Sequence, residues 1–180
     1  GKGLAVRCGM LEARGEYRFM CDADLSMPPG EINRFLPPLL ENASIAIASR
    51  ETPGAVRYNE PAYRHFIGRG YNWLIRWLAL PGLQDTQCGF KLIKGPCAKD
   101  IFSRLKIYGD QAPIIDKAYM GAFDVEVLYL ARKLKYKVKE VPVTWVYVKT
   151  TRLHVFADSI KMLSDVLKVR LNDMKGMYHA

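Results

Sequence analysis

The spacing of hydrophobic residues along this 180-residue chain alternates between strand-like runs and helix-like periodicity. Short apolar runs rich in β-branched and aromatic residues predict strands over residues 16–21, 44–49, 90–93 and 136–141, with a further one over 143–148. Apolar positions three and four apart predict helices over residues 3–14, 26–40, 62–80, 124–134 and 155–171, with a short one after Pro96. Residues 51–61 and 104–122 carry neither pattern and are predicted to be irregular. This alternation predicts one α/β domain spanning residues 1–180.

Two aspartates, Asp22 and Asp24, directly follow the first predicted strand. At the carboxyl end of a strand, both side chains can reach the crevice where α/β sheets bind ligands. Two carboxylates with this spacing suit Mg²⁺ or Mn²⁺, because substrate phosphates can fill the other positions around such an ion. The spacing alone leaves a second interpretation open, in which both aspartates are solvated loop residues.

The net charge indicates the kind of partner, and the cysteine spacing indicates the redox state of the thiols. Twenty-seven basic and eighteen acidic side chains give a net charge of +9, which favours an anionic partner: a phosphorylated substrate, phospholipid headgroups or nucleic acid. The four cysteines form no CxxC pair and three lie in apolar stretches, so we predict reduced, mostly buried thiols of a cytosolic protein. No run of about 18 uncharged apolar residues is present to span a bilayer.

The start of the chain is unusual for a nucleotide-binding α/β domain. Such a domain normally opens with a strand and a turn that holds the nucleotide. This chain opens on Gly1-Lys2-Gly3 and a predicted helix. We therefore expect that an N-terminal portion is lacking, and the alternative is a compact variant that starts on a helix.

Six motifs occur in an order that resembles a known enzyme family, namely GKGLAVRCGM (1–10), DADLS (22–26), ASR (48–50), DTQCGFKL (85–92), AFDVEVL (122–128) and EVPVTW (140–145). Together they are similar to the C-terminal two-thirds of a family 2 glycosyltransferase, and most similar to the branch that glucosylates dolichyl phosphate. DTQCGFK together with FDVE is the specific part, because a D-x-D pair alone occurs in many families. The resemblance implies the GT-A fold, a Rossmann-like, three-layer α/β/α arrangement that is N-terminally incomplete here.

The resemblance also implies a reaction. A nucleotide sugar, with UDP-glucose as the first candidate, donates its sugar with inversion to a dolichyl or undecaprenyl phosphate. Asp24 would ligate Mg²⁺ or Mn²⁺ through the diphosphate, and Asp22 would contact the ribose or the same ion, which acts as a Lewis acid. Related enzymes often carry Gln at the position of Ser26, which we interpret instead as the N-cap of the helix over 26–40.

Basic residues are expected to matter as much as carboxylates, because a phosphate monoester with a second pKa of about 6 arrives largely ionised. It needs cations that hold two anionic substrates in line more than it needs a strong base. Arg50 and then Arg64 match phosphate-binding arginines of the family, with Arg69 as the alternative to Arg64. Lys91 is expected to face solvent or the pyrophosphate, and Arg152 to close over the diphosphate.

Asp85 and Asp124 compete for the role of the carboxylate near the reacting centre. Asp85 begins the motif that corresponds to the acceptor-side wall in this family, so we prefer it as the base or the sugar-orienting group. Asp124 has a structural alternative as the N-cap of the helix over 124–134. Gln87 is expected to hydrogen-bond the sugar.

A membrane surface is an expected partner, because the implied acceptor is a lipid and residues 62–80 interleave aromatic side chains with arginines. A core helix with an aromatic face is the alternative. The expected location is peripheral, at the cytoplasmic face of a membrane, with no nucleic-acid partner.

Two other classes of protein stay open. A phosphatase that forms an aspartyl-phosphate would use Asp22 as its nucleophile, but it does not explain DTQCGFK and FDVE. A non-catalytic basic domain that binds lipid or nucleic acid would explain the charge. It would not need Asp22 and Asp24 together, and the basic residues are spread along the chain rather than clustered.

Overall fold

A computed structural model describes residues 1–110, 112, 121–148 and 155–178. The α-helices in this part of the chain are α1 (Lys2–Glu12), α2 (Ala62–Leu78), α3 (Gly95–Ser103), α4 (Phe123–Lys133) and α5 (Val155–Met174). The strands are β1 (Tyr17–Met20), β2 (Ile45–Ser49), β3 (Val56–Tyr58), β4 (Lys91–Lys94), β5 (Val138–Pro142) and β6 (Thr144–Val146). The predicted α/β class is confirmed, and β3 is a short strand inside a segment predicted to be irregular.

The main sheet has the strand order β1-β4-β2-β5. Strand β4 runs antiparallel to β1 and β2, whereas β2 and β5 are parallel, with Ile47 opposite both Lys91 and Glu140. The reversed direction of β4 brings its amino end to the sheet edge where β1, β2 and β5 reach their carboxyl ends. Strands β3 and β6 form a separate parallel pair.

Both faces of the main sheet are covered by buried apolar side chains. Ile45 and Ile47 of β2 face the helical side, in a cluster that includes Ile75 of α2, Ile101 of α3, Leu128 of α4 and Val166 of α5. Ala46 and Ala48 point to the other face, which is covered by a cluster that includes Phe35, Phe90 and Val143. Because successive side chains of β2 point to opposite faces, this one strand contributes residues to the apolar clusters on both sides of the sheet.

The α-helix predicted over residues 26–40 is wrong. This segment forms two 3₁₀ helices, Pro29–Arg34 and Leu39–Asn42, separated by Pro37 and Pro38. Proline lacks the amide hydrogen that a continuous α-helix needs, so two adjacent prolines interrupt it. Phe35 is nevertheless fully buried, and Ile32 and Leu36 pack against the same apolar cluster, as the apolar spacing of this segment indicates.

The prediction that the thiols are mostly buried is half wrong. All four cysteines are free; Cys88 and Cys97 are buried, but Cys8 and Cys21 are exposed. Cys8 lies on the outer side of α1, and Cys21 follows β1 at the sheet edge, where apolar neighbours in sequence do not cover it. Among the described helices, none has the length and apolar character needed to cross a bilayer.

A buried carboxylate on α4 ties distant segments to this helix. Glu126 is fully buried and accepts hydrogen bonds from the backbone N–H groups of Lys106 (2.7 Å), Ile107 (2.9 Å) and Tyr108 (3.1 Å). It also accepts one from the hydroxyl of Tyr178, at 2.7 Å. These four donors replace the water that a buried carboxylate loses.

Replacing Glu126 with Gln should lower the free energy of unfolding by about 2–4 kcal/mol, because the new NH₂ group faces buried N–H donors. Urea unfolding followed by circular dichroism measures this difference. Glu12→Gln, at the exposed end of α1, is the matched control and should change stability by less than about 0.5 kcal/mol. Equal unfolding midpoints for the two variants would contradict this role of Glu126.

Candidate active site

A cavity of about 190 Å³ lies at the sheet edge where β1, β2 and β5 end and β4 begins. Each of the six sequence motifs contributes a side chain to its wall, including Lys2, Asp22, Arg50, Gln87, Asp124 and Trp145. Asp24 and Arg64 line the same cavity. The fold therefore gathers motifs that are far apart in sequence into one site.

Asp22 depends on a glycine from another motif. A Cβ atom at Gly89 would overlap the Asp22 carboxylate, so the absence of a side chain at residue 89 makes room for it. The Lys2 ammonium forms an ion pair with Asp22. Burial lowers the pKa of Lys2, but Asp124 and Asp22 outweigh that effect and the pKa is raised, which keeps a cation beside these carboxylates.

Asp24 is fixed by a tight turn. Its Oδ1 accepts hydrogen bonds from the backbone N–H of Ser26 at 3.0 Å and from the Ser26 hydroxyl at 2.7 Å. Leu25 between them has φ of 51°, in the left-handed region that non-glycine residues rarely adopt. Ser26 therefore stabilises the aspartate turn, and its interpretation as a helix N-cap is wrong.

The carboxylates fit one kind of metal site. Within the described residues, no group of three or more His, Cys, Asp and Glu side chains could hold a metal ion. Asp22 and Asp24 supply two carboxylates at one cavity wall. This donor set fits Mg²⁺ or Mn²⁺ held by one or two carboxylates together with substrate phosphates, rather than a site made by protein ligands alone.

Arg50 and Asp85 form a buried ion pair. Asp85 has no exposed side-chain surface, whereas 20% of the Arg50 side chain is exposed. Asp85 accepts hydrogen bonds from Arg50 Nε (2.7 Å), Nη2 (2.9 Å) and the Arg50 backbone N–H (3.0 Å). Burial alone would raise the pKa of Asp85, but the Arg50 guanidinium outweighs it and holds that pKa below its ordinary value. The structure thus places Asp85 behind Arg50 rather than in the cavity wall.

Lys91 and Asp124 form a second buried pair. Lys91 Nζ donates to the carbonyl oxygen of Cys88 at 2.6 Å and pairs with the Asp124 carboxylate. Only 1% of the Lys91 side chain is exposed, so the expected solvent-facing position is wrong. The N-cap of α4 is Ala122, and Asp124 lies in the first turn and lines the cavity. The N-cap alternative for Asp124 is therefore not adopted.

The remaining predicted residues fall in three places. Arg64 lines the cavity, stacks at 5.0 Å on the Tyr147 ring and donates to its hydroxyl at 3.1 Å, whereas Arg69 lies outside the cavity near Glu51. Gln87 lines the cavity, and its buried Nε2 has no hydrogen-bond partner among the described residues. Arg152 lies outside the described residues.

The sequence interpretation missed Lys2 and the two rings on which the arginines stack. Trp145 lies 5.3 Å from the Arg50 guanidinium, and Tyr147 lies under Arg64. Trp145 lies in β6, which begins two residues after β5, and Tyr147 directly follows β6. This position close behind β5 was the available signal, because ligands bind outside the carboxyl ends of the strands in such sheets.

The α/β domain thus places a D-x-D pair and two arginines in one cavity, where the parallel strands of the main sheet end. The family model described as Glycosyl transferase family 2 matches residues 1–107, and the chain belongs to that family. The family resemblance and the α/β fold of the GT-A type that it implied are confirmed.

Several relatives that match nearly the whole chain are named dolichyl-phosphate beta-glucosyltransferase. The protein of Dictyostelium discoideum is 33% identical over 99% of this chain and 53% of its own length. Those of Mus musculus and Saccharomyces cerevisiae are 34% and 28% identical, each over 99% of this chain and 54% of their own length. The chain spans about half the length of the curated relatives it matches.

The burial of the thiols predicts two kinetic classes toward Ellman's reagent. Cys8 and Cys21 are exposed and should react quickly in the folded protein. Cys97 is buried, and burial raises the pKa of Cys88 to about 12, so both should react only after unfolding. Counting thiols with and without denaturant tests this, and four fast thiols in the native protein would contradict the closed packing around Cys88.

Proposed function

We propose that this chain forms the catalytic part of an inverting glycosyltransferase that moves a sugar from a nucleotide sugar to a polyprenyl phosphate. The observation that carries the proposal is one cavity containing both a D-x-D carboxylate pair and two arginines. Both substrates bring phosphates, and the cavity offers separate groups for each. The names of the relatives favour glucose as the sugar and dolichyl phosphate as the acceptor, with UDP-glucose as the donor to be tested first.

Asp22 and Asp24 are the residues that would hold Mg²⁺ or Mn²⁺ on the donor side. Such an ion supplies Lewis-acid stabilisation of the charge that develops on the leaving diphosphate. The turn closed by Ser26 holds Asp24 in place, and the space above Gly89 accommodates Asp22. The buried amide nitrogen of Gln87 would gain a partner if it donated to a sugar hydroxyl.

On the acceptor side, Arg50 and Arg64 would bind the lipid phosphate. Asp85 is fully buried and its lowered pKa makes it a weak proton acceptor, so we assign it to the support of Arg50. Asp124 lines the cavity and is the better-placed carboxylate for orienting the reacting sugar. Lys91 would act through Asp124, with which it pairs. Arg152 keeps the role of closing over the diphosphate as an expectation.

Asp24→Asn should reduce sugar transfer from UDP-glucose to dolichyl phosphate by roughly 100-fold at saturating Mn²⁺. Asparagine keeps the oxygen that accepts from Ser26 but removes the charge that attracts the ion. Asp110→Asn is the matched control, because Asp110 is 83% exposed and does not line the cavity. The measurement is radiolabelled glucose recovered in the lipid fraction.

Two results would contradict this assignment. Full transfer by Asp24→Asn at both low and saturating Mn²⁺ would show that the reaction does not depend on a metal ion held by Asp24. Wild-type protein that hydrolyses a simple phosphomonoester but transfers no sugar from any nucleotide sugar would favour the phosphatase class, with Asp22 as nucleophile.

The membrane surface is the proposed partner of α2. Five large apolar side chains of this helix are 42–74% exposed: Tyr63, Phe66, Ile67, Trp73 and Trp77. Arg64, on the same helix, reaches the cavity, so the exposed aromatic surface adjoins the proposed acceptor site. Aromatic residues with interleaved arginines suit a helix lying at the headgroup level. The proposed location is the cytoplasmic face of a membrane, which the four free thiols support.

Replacing Phe66, Trp73 and Trp77 with Ser together should weaken binding to phosphatidylcholine–phosphatidylserine vesicles by at least about tenfold, because the apolar area that inserts is lost. Vesicle sedimentation measures the bound fraction. Met174→Ser on α5 removes an equally exposed apolar side chain and should leave binding unchanged. Undiminished binding of the α2 variant would assign the vesicle contact to another surface.

A further inference from the structure

We propose that Glu140 is a positioning residue that acts through Asp85 to hold the Arg50 guanidinium at the cavity. The proposal rests on the proposed function for what Arg50 binds, namely the acceptor phosphate. The contacts that carry it join the middle of β5, the loop before β4 and the end of β2.

The first step is the grip of Glu140 on the loop. Glu140 lies in β5 opposite Ile47 and accepts hydrogen bonds from two consecutive backbone N–H groups. Its Oε2 accepts from Gln84 and its Oε1 from Asp85, both at 2.8 Å. In the part of the chain that the structure describes, no basic side chain forms an ion pair with Glu140. Both carboxylate oxygens are thus committed to the loop backbone.

The second step runs from the loop to Arg50. With its backbone N–H held by Glu140, Asp85 directs its buried carboxylate at Arg50 Nε and Nη2. Its Oδ1 also accepts from the Gln87 N–H at 3.3 Å, which closes the loop on itself. The loop therefore presents one fixed carboxylate, and the planar guanidinium matches it with two parallel bonds.

The third step concerns how the Arg50 guanidinium is held at the cavity. Asp85 binds one edge of the guanidinium and the Trp145 ring lies 5.3 Å from its centre, while Nη1 makes no hydrogen bond to the described residues. An arginine held in this way has already lost most of its side-chain freedom before an anion arrives. A shift of the loop would misplace the guanidinium, so that part of the binding energy for the anion would be spent on ordering the side chain again.

Glu140→Gln tests the proposal, because the amide keeps the shape but turns one acceptor into a donor that faces an N–H group. The apparent KM for dolichyl phosphate should rise about tenfold, within the range known for residues that orient ligand-binding groups. The KM for UDP-glucose and the kcat at saturating acceptor should change less than about twofold. Glu140→Asp keeps the charge on a side chain that is one methylene shorter. It should raise the KM for dolichyl phosphate less than Glu140→Gln does. Glu12→Gln is the exposed control and should match wild type.

A double-mutant cycle separates positioning from general stability. Arg50→Lys keeps a positive charge but cannot make the paired contact with Asp85. If Glu140 acts through Arg50, Glu140→Gln should add less than about twofold to the acceptor KM in the Arg50→Lys background. A further tenfold rise in the acceptor KM in the Arg50→Lys background would overturn the proposal. So would a lower melting temperature of Glu140→Gln with an unchanged acceptor KM.

A measurement without substrates distinguishes failure of this inference from failure of the proposed function. The Arg50 Nε–H group, bonded to Asp85 at 2.7 Å, should give a slowly exchanging resonance in ¹⁵N nuclear magnetic resonance spectra. Its solvent exchange should be at least about tenfold faster in Glu140→Gln and unchanged in Glu12→Gln. Unchanged exchange in Glu140→Gln would overturn the positioning role. If exchange is faster in Glu140→Gln but the wild-type protein transfers no sugar, only the proposed function is overturned.

Discussion

The buried ion pair between Arg50 and Asp85 is the interaction on which the geometry of the cavity depends. A carboxylate with no exposed surface is costly unless its charge and its hydrogen-bonding capacity are both met. Here a guanidinium and two backbone N–H groups meet both requirements. Because removing Arg50 would leave the buried Asp85 charge unpaired, the pair fixes the end of β2 against the loop before β4.

Charge pairing extends across the rest of the cavity. Lys2 stands beside Asp22, and buried Lys91 pairs with Asp124, so these carboxylates each have a fixed cation. Asp24 instead accepts from neutral N–H and hydroxyl groups of Ser26. Among the described carboxylates of the cavity, it is the one whose charge is least compensated within the protein. An incoming divalent ion with its diphosphate would meet this charge, which is a physical reason for placing the donor at the aspartate turn.

Local sequence patterns predicted most of the helices and strands, but they could not predict how the strands pair or which side chains meet. Apolar spacing predicted the strand over residues 44–49, in which Ile45 and Ile47 are fully buried. It could not show that β4 runs antiparallel between β1 and β2, because pairing partners are not encoded in the period of one strand. The environment of Asp85 also depends on that topology. Its sequence context suggested a reactive carboxylate, whereas its contacts across the sheet edge bury it against Arg50.

Helix α2 links the cavity to the exposed surface of the protein, and its periodicity explains how. Arg64 faces the cavity through its contact with Tyr147, and Ile75 packs in the core, so this helix is anchored at two faces. Phe66, Trp73 and Trp77 lie on the remaining exposed side. Seven and four residues separate these three positions, which keeps them along one stripe of an α-helix. A single helix can therefore carry both an arginine that faces the cavity and aromatic rings that face outward. The proposed lipid-phosphate acceptor would need such an arrangement, because its charged head would enter the cavity while its chain stayed in the bilayer.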